Sequence, residues 1–94
     1  MNKIEELSEL FKALSDPTRL KIIDLLNKST TMLCVNAITN KLGVTQSAVS
    51  QHLRILRQAG VVISERRGYF IHYAINKKTF DKISALVDVV RENN

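Results

Sequence analysis

Three side chains in this sequence could act as nucleophiles, metal ligands or redox groups: Cys34, His52 and His72. Cys34 is the one cysteine of the chain, so it cannot form an internal disulfide, and Asn36 follows it closely. A soft metal that is held tightly normally requires several thiolates or imidazoles, and an amide is a poor substitute. Neither an orienting acid nor a shaped glycine-rich loop accompanies these groups, as a catalytic Cys/His site would require. We therefore predict no enzyme activity, no metal site and no cofactor.

The thiol of Cys34 has three interpretations that the sequence leaves open. Free cysteines are frequently small buried hydrophobes, and packing is the interpretation that we favour. Alternatively, Cys34 is a redox or ligand-binding residue, because it precedes a predicted helix and a helix N-terminus can lower the pKa of a thiol. In the third interpretation it forms a site with its counterpart in a second subunit. We interpret His52 as a packing residue or a phosphate contact.

Positive charge is concentrated in the middle of the chain. The net charge is +5, and between Leu25 and Phe80 there are eight basic residues and one acidic residue, Glu65. The two ends together carry more acidic than basic residues. This distribution is typical of a polyanion-binding surface on a neutral scaffold, although a solvated basic face would give the same pattern.

Length and composition predict a single domain that spans residues 1–94. The chain has 94 residues, of which 45% are hydrophobic and 24% are charged, as in ordered globular proteins. No apolar run approaches the roughly 20 residues that span a bilayer, and the first ten residues lack an apolar signal core. We therefore expect a cytoplasmic protein that does not bind membranes.

Apolar spacing and capping residues predict the first two helices. Asp16 followed by Pro17 is typical of a helix start, because the carboxylate caps free N–H groups and proline needs no partner there. The predicted apolar stripe of the first helix consists of Ile4, Leu7, Leu10, Phe11 and Leu14. The predicted buried face of the second helix consists of Leu20, Ile22, Ile23, Leu25 and Leu26.

A helix-turn-helix unit is predicted next. A short helix from about Val35 to Leu42 ends at Gly43, which can adopt the left-handed conformation that turns the chain. Thr45 is a plausible N-cap for a second helix that runs to about Ala59. Two helices joined by a short turn that contains glycine form a helix-turn-helix unit.

The two faces of this second helix differ in chemistry. Val49, Leu53 and Leu56 form a stripe that we predict to be buried. The opposite face has no acid and no bulky aliphatic group, and glutamine, serine and arginine suit contacts in the major groove of DNA. The residues of this predicted DNA-contacting face are Gln46, Ser47, Ser50, Gln51, Arg54 and Arg57, preceded by Thr45.

Alternating residues after Gly60 predict a β-hairpin, with strands at Val61–Glu65 and Tyr69–Ile75. The predicted turn is Arg67-Gly68, flanked by Arg66, and Ile71, Tyr73 and Ile75 should share one face of the second strand. A hairpin that follows a helix-turn-helix unit is a wing, and arginines at its tip can contact the phosphate backbone or the minor groove. We therefore predict a mainly α fold with a small β-hairpin, a winged helix-turn-helix of about five helices and a two-stranded wing.

The last segment, which begins near Asn76, has a strong helical stripe. This helix either covers the domain's own core or packs, together with the first helix, against a second subunit. A two-fold dimer would match the paired half-sites that helix-turn-helix proteins usually bind. The apolar residues of the stripe are Phe80, Ile83, Leu86, Val87 and Val90.

Three stretches resemble the ArsR/SmtB family of arsenical-resistance repressors, which are winged-helix regulators. They are ALSDPTRLKIIDLL, LGVTQSAVSQHLRILRQAGVV and RRGYFIHYAI, and the similarity runs from about Leu10 to Ile75. The resemblance implies a homodimer joined through its first and last helices that represses transcription from an imperfect palindrome. By position it implies DNA contacts from Gln46, Ser47, Ser50, Gln51, Arg66 and Arg67.

The resemblance also implies where metal-sensing members would bind metal. Members that sense arsenic, cadmium or lead carry CVC at the start of the third helix, where this chain has LCVNAI. Cys34 matches the first thiolate, but Asn36 replaces the second and Ala37 replaces the following aspartate. Zinc sensors carry Asp and His pairs on the last helix, whereas residues 77–94 contain no histidine. We therefore expect the usual metal-sensing sites to be missing.

Two functions from different classes follow from these observations. The favoured one is a dimeric, sequence-specific DNA-binding transcriptional repressor that recognises a pseudo-palindromic operator. The alternative is a winged-helix module that contacts protein or RNA without operator specificity. RNA recognition is the weaker variant, because the chain offers few aromatic residues on which bases could stack.

Overall fold

Five helices and three short strands form the part of the chain that the computed structural model describes, residues 2–92. The ends of the predicted domain, residues 1 and 93–94, lie outside the described residues. Within the described range, no helix is both long enough and apolar enough to cross a membrane. In chain order the elements are α1 (Lys3–Leu14), α2 (Pro17–Lys28), β1 (Leu33–Cys34), α3 (Val35–Leu42), α4 (Gln46–Gln58), β2 (Val62–Arg67), β3 (Phe70–Ile75) and α5 (Lys77–Glu92).

The capping residues predicted from sequence mark the helix boundaries. The Asp16 carboxylate accepts a backbone N–H from the first turn of α2 at 3.0 Å, and Pro17 is the first helical residue. Gly43 ends α3 with a φ of 66°, the left-handed conformation that costs glycine least. The Thr45 hydroxyl then caps α4. Because each boundary has a local cause, the helix-turn-helix unit forms where it was predicted.

The strands form a three-stranded antiparallel sheet in the order β1-β3-β2, so the prediction of a two-stranded wing was incomplete. The additional strand, β1, pairs Leu33 with Tyr73 and Cys34 with His72. A strand of two residues is too short to show alternation in sequence, and its partner lies far along the chain. It therefore joins the middle of β3 to the start of α3.

The turn of the wing lies one residue later than predicted. Arg67 pairs with Phe70, so the turn residues are Gly68 and Tyr69, and β2 continues to Arg67 instead of ending at Glu65. Gly68 has a φ of 65°, which favours glycine as the first turn residue. Both wing arginines are therefore strand residues.

The inner stripe of α4 occupies the centre of the hydrophobic core. Val49, Leu53 and Leu56 have no exposed surface, and Ile22 of α2 and Ile38 of α3 are equally buried. Each aliphatic side chain removed from water contributes about 1.5–3 kcal/mol, so the stripe holds α4 firmly on the scaffold. The opposite face of α4 must consequently point outward.

One apolar residue that was predicted to be buried proves to be exposed, and a second apolar residue is exposed near the tip of the wing. Leu20 was predicted to be buried in α2, but 51% of it is exposed, while Ile22 and Leu26 face the core. The helical periodicity predicted a buried face of α2 that is wider than the part of the helix that neighbouring elements cover. Ile71 is 41% exposed for a similar reason, because it lies nearer the tip of the wing than Tyr73 and Ile75, which pack against the core.

The last helix is attached to the first helix and to the loop that follows α4. α5 packs against α1, and an ion pair joins Lys82 to Glu6. Asn76 precedes α5, as predicted, and its side-chain amide donates a hydrogen bond to the Gly60 carbonyl at 3.0 Å. The start of α5 is therefore tied to the loop that follows α4.

Candidate nucleic-acid interface

The outer face of α4 is exposed and polar, as predicted. α4 contains no Asp or Glu, so a polyanion that approaches this face meets no carboxylate of the helix itself. Because the inner stripe is buried, the orientation of the outer side chains is set by the core and not by a flexible loop. The exposed residues of this face are Gln46, Ser47, Ser50, Gln51, Arg54 and Arg57.

Thr45 is placed as the N-cap of this helix. Its hydroxyl oxygen accepts the backbone N–H of Ala48 at 3.2 Å, and the residue itself is exposed. The hydroxyl satisfies one of the free N–H groups at the start of the helix. The remaining N–H groups of the first turn add partial positive charge at this end of α4.

The two wing arginines differ in their surroundings. Arg67 donates to a Glu65 carboxylate oxygen at 3.1 Å and lies 3.4 Å from the sulfur of Met32. Arg66 donates from Nε to the Gly68 carbonyl at 3.3 Å, a contact that leaves its terminal nitrogens available. Consecutive strand residues point to opposite faces of a sheet, so the two guanidinium groups leave the wing on opposite sides.

An open groove separates the wing from the outer face of α4. Gln46 and Ser50 line one wall, and Tyr69, Phe70 and Ile71 line the other. The groove brings part of the predicted helix face together with the tip of the wing. Its walls combine amide, hydroxyl and aromatic groups.

Sequence reasoning missed Tyr69 as a residue of this surface. Its side chain is 95% exposed at the tip of the wing, and the neighbouring Phe70 is 55% exposed. Aromatic side chains lose favourable burial when they remain in water, so two adjacent exposed rings indicate a contact surface. An aromatic residue directly after the turn glycine was the available signal.

Cys34 lies between the wing and α3 and is half-buried. It occupies the N-cap position of α3 without a side-chain capping bond, and it is paired across the sheet with His72. The His72 Nδ1 atom is buried and has no hydrogen-bond partner. Among residues 2–92, no three His, Cys, Asp or Glu side chains lie close enough to share a metal ion.

His52 belongs to a polar cluster between α4 and the start of α2. Its Nδ1 atom lies 3.4 Å from an Arg19 guanidinium nitrogen and 3.9 Å from an Asp16 carboxylate oxygen. The Arg19 Nε atom donates to the Ala13 carbonyl at 2.6 Å, near the end of α1. This cluster joins the end of α1 and the start of α2 to the middle of α4, and it places His52 among packing contacts.

The pKa of Asp16 is lowered, chiefly by the hydrogen bond from the Arg19 backbone N–H, while desolvation opposes the shift and the charges of His52 and Arg19 assist it. A carboxyl group with a lowered folded-state pKa stabilises the fold above its ordinary pKa, and this stabilisation is lost as the pH falls through the lowered value. We expect Asp16→Asn to lower the melting temperature near about pH 7, with a difference that shrinks toward about pH 3.

Thermal unfolding across this pH range checks the prediction. Asp24→Asn is a suitable control, because Asp24 is an exposed carboxylate of the same helix that pairs with Lys28. Exposed pairs contribute little, so this control should change the melting temperature slightly at every pH. A difference for Asp16→Asn that grows as the pH falls would contradict the assigned role.

A second surface, which is apolar and exposed, lies on α1. Ile4 is 58% exposed and Phe11 is 48% exposed, and their spacing of seven residues places them on one side of the helix. With Leu7 and Val90 they line a shallow apolar groove that extends from α1 to α5. An apolar surface of this kind on a small protein is typical of an interface with another chain.

Comparison with known proteins identifies the family. Residues 16–64 match the sequence pattern of the arsR family of bacterial regulatory proteins. An uncharacterised helix-turn-helix transcriptional regulator of Methanocaldococcus jannaschii is 41% identical over 88 residues, which cover 94% of this chain and 98% of that protein. The transcriptional repressor SdpR of Bacillus subtilis is 34% identical over 89 residues, which cover 94% of this chain and 97% of that protein.

The solved structures agree with this assignment. A homodimeric winged helix-turn-helix DNA-binding domain of Mycobacterium bovis superposes with a TM-score of 0.76 at 30% identity, covering 95% of this chain and 81% of that one. The predicted fold class and the predicted family resemblance are thus confirmed. Because its relatives are transcriptional regulators, the prediction that the chain is not an enzyme is confirmed as well. The chain belongs to the ArsR family of winged helix-turn-helix transcriptional regulators.

Proposed function

We propose that this chain is a single-domain, homodimeric, cytoplasmic repressor that recognises a pseudo-palindromic operator without the usual metal-sensing sites of its family. The observation that carries the proposal is the acid-free outer face of α4, which is exposed above a fully buried inner stripe. A regulator must hold its base-contacting side chains rigidly at the surface, and this arrangement does so. The repressor SdpR is a relative of similar length, which supports repression as the outcome of binding.

In this proposal α4 enters the major groove. Gln46, Ser50 and Gln51 contact base edges, because amides and hydroxyls can both donate and accept hydrogen bonds there. Ser47 and Arg54 contact bases or phosphates nearby, and Thr45 adds a phosphate contact to its capping role. The wing follows the backbone beside the groove, with Arg66, Arg67 and Tyr69 against phosphates and sugars.

The proposed dimer is formed by α1 and α5. Support comes from the exposed Ile4 and Phe11 side chains and from the apolar groove that continues to Val90. The Mycobacterium bovis domain with the same fold is described as homodimeric. A two-fold dimer presents two copies of α4 to DNA, and half-sites related by the same symmetry form a pseudo-palindrome.

The proposed absence of the usual metal-sensing sites rests on the ligands that the chain offers. Asn36 and Ala37 stand where metal-sensing members would carry further ligands, which leaves Cys34 as a single thiol. The segment 77–94 contains no histidine. A single thiolate beside an amide provides too few soft ligands for tight binding.

Selection from a duplex DNA library with a randomised core tests the proposal. We expect purified protein to enrich one pseudo-palindromic sequence, with an affinity that falls steeply as salt rises because bound counterions are released. Ser50→Ala should cost about 1–3 kcal/mol at particular base pairs, measured by titration of single-substitution duplexes. Arg67→Ala is the comparison variant and should weaken binding to all sequences about equally.

Two results would contradict the proposal. Failure to enrich any sequence over random duplex at moderate salt would favour a protein-interaction module over an operator-binding repressor. In the same titration, zinc, cadmium or arsenite should leave the affinity unchanged. Release of DNA by one of these ions in the wild type but not in Cys34→Ser would show that the single thiol senses metal after all.

A further inference from the structure

One hydrogen bond joins the first turn of α3 to the first residue of α4. The Gln46 Nε2 atom donates to the Asn36 Oδ1 atom at 2.6 Å. Both side chains are exposed, and both line the groove between α4 and the wing. The bond therefore lies on the proposed DNA-contacting surface, where it does not support the core.

We propose that Asn36 is a specificity-determining positioning residue, which holds the Gln46 amide in the orientation that recognises adenine. The inference rests on the proposed function, because it assumes that α4 contacts bases. Asn36 itself acts through Gln46 and does not need to touch a base.

The orientation follows from the hydrogen-bonding groups of an amide. The Gln46 amide has two N–H donors and one carbonyl oxygen, Oε1. A bidentate contact with adenine uses Oε1 and the N–H on the same side, which accept from N6 and donate to N7 of the base. The second N–H is not needed for that contact, and it is the group left to bind Asn36.

The alternative orientation of the same amide is disfavoured by Asn36. If the Gln46 amide were rotated by half a turn while Asn36 kept its orientation, the Gln46 Oε1 atom would face the Asn36 Oδ1 atom, and two acceptors would meet without a proton between them until the Asn36 amide rotated as well. Such a meeting costs the lost hydrogen bond and adds repulsion. With its Oδ1 atom toward Gln46, as in the structure, Asn36 thus selects one of two amide orientations that would present different patterns to a base pair.

DNA binding should strengthen this selection. In the free protein, water competes for the exposed Asn36 and Gln46 groups. When a duplex fills the groove beside Ser50 and Tyr69, water leaves and the hydrogen bond acts in a less polar environment. Fixing the Gln46 side chain before DNA arrives also reduces the entropy lost on binding.

Four variants and the wild type, each selected against the same randomised duplex library, test the inference. Gln46→Ala identifies the base pair that Gln46 contacts, as the position where the preference for adenine disappears. Asn36→Ala should reduce that preference by roughly 5- to 10-fold and leave the other positions unchanged. Asn40→Ala is the matched control, because Asn40 is an exposed asparagine one turn further along α3. It should retain the wild-type preferences.

Asn36→Asp separates orientation from other effects of the substitution. Aspartate keeps an acceptor oxygen for Gln46 but adds a negative charge, so binding to all sequences should weaken while the preference for adenine remains. The melting temperature of Asn36→Ala should match that of the wild type, because the residue is exposed and alanine suits a helix. A structural role would instead lower the melting temperature and leave the base preference intact.

The outcomes distinguish this inference from the proposed function. If the wild type enriches no sequence, the proposed function itself is wrong. If the wild type enriches an operator but Asn36→Ala keeps the preference for adenine, or loses affinity evenly for all sequences, Asn36 does not orient Gln46. Loss of the preference in Asn36→Asp, or an unchanged preference in Gln46→Ala, would also overturn the inference.

Discussion

Phe11→Glu is expected to convert the protein into a folded monomer that binds a two-half-site operator about 100-fold more weakly, or worse. Phe11 is 48% exposed in the described chain, so a charged residue at this position does not have to enter the core. In the proposed dimer, however, the side chain would be buried against the partner subunit. A carboxylate buried there without a partner would cost far more than the apolar contact contributed.

The size of the effect on DNA binding comes from effective concentration. Once one α4 helix of a dimer is bound, the second helix is held near its half-site and binds as in an intramolecular reaction. Linked binding of this kind exceeds the affinity of one module by factors of about 10²–10⁴. A monomer loses this gain, even though each copy of Gln46, Ser50 and Gln51 is unchanged.

Leu20→Glu is the matched control for this experiment. Leu20 is 51% exposed, so it resembles Phe11 in exposure and in helical context, but it lies on α2 and does not line the groove that contains Phe11 and Val90. Light scattering at micromolar concentration should show a dimer for the wild type and for Leu20→Glu, and a monomer for Phe11→Glu. A dimeric Phe11→Glu protein would place the interface elsewhere than on this side of α1.

Features with local causes could be predicted from the sequence. The starts of α2 and α4 depend on a capping side chain, Asp16 or Thr45, that bonds to N–H groups a few residues away. The end of α3 depends on Gly43, whose positive φ is a property of that residue alone. The buried stripe of α4 follows from the helical period. In each case the signal and the structure that it determines lie within one or two turns of chain.

Features that depend on distant contacts could not be predicted in this way. The short β1 strand exists because Leu33 pairs with Tyr73, and the residues near Leu33 in the sequence do not indicate that pairing. Leu20 has the same spacing as its buried neighbours, and only the positions of the surrounding elements leave it exposed. The turn of the wing was misplaced because glycine fits more than one turn position, and pairing of the strands decided between them.

In the candidate site, too, features with local causes could be predicted from the sequence, and features that depend on distant contacts could not. Chemistry alone identified the polar residues of α4, since a face without acids suits a polyanion. The contacts that refine this face, Asn36 with Gln46 and His52 with Arg19, join residues from different helices. Asn36 in particular was interpreted only as a missing metal ligand, because the sequence does not show that it meets the start of α4.

Leu53→Ala is expected to lower the free energy of unfolding by about 2–5 kcal/mol, as measured by urea denaturation. Leu53 has no exposed surface and lies in the middle of the α4 stripe, so truncation removes buried methyl groups and leaves a cavity. Small domains are stable by about 5–15 kcal/mol, so one substitution of this size removes a large share of the total. Leu20→Ala, at an exposed leucine, should change stability by less than about 0.5 kcal/mol.

The same variant tests whether the two faces of α4 have separate roles. Leu53 belongs to the buried core cluster, so the fraction of Leu53→Ala that remains folded should keep the base preferences of the wild type. Because a dimer unfolds in a concentration-dependent way, variants must be compared at one protein concentration. When DNA binding of Leu53→Ala is titrated in urea, the apparent affinity for DNA should fall in proportion to the folded fraction. It should recover when the urea concentration is lowered. Altered base preferences in folded Leu53→Ala would show that core packing changes the arrangement of the outer face of α4. The burial of the inner stripe could then not be treated separately from the base specificity of the outer face.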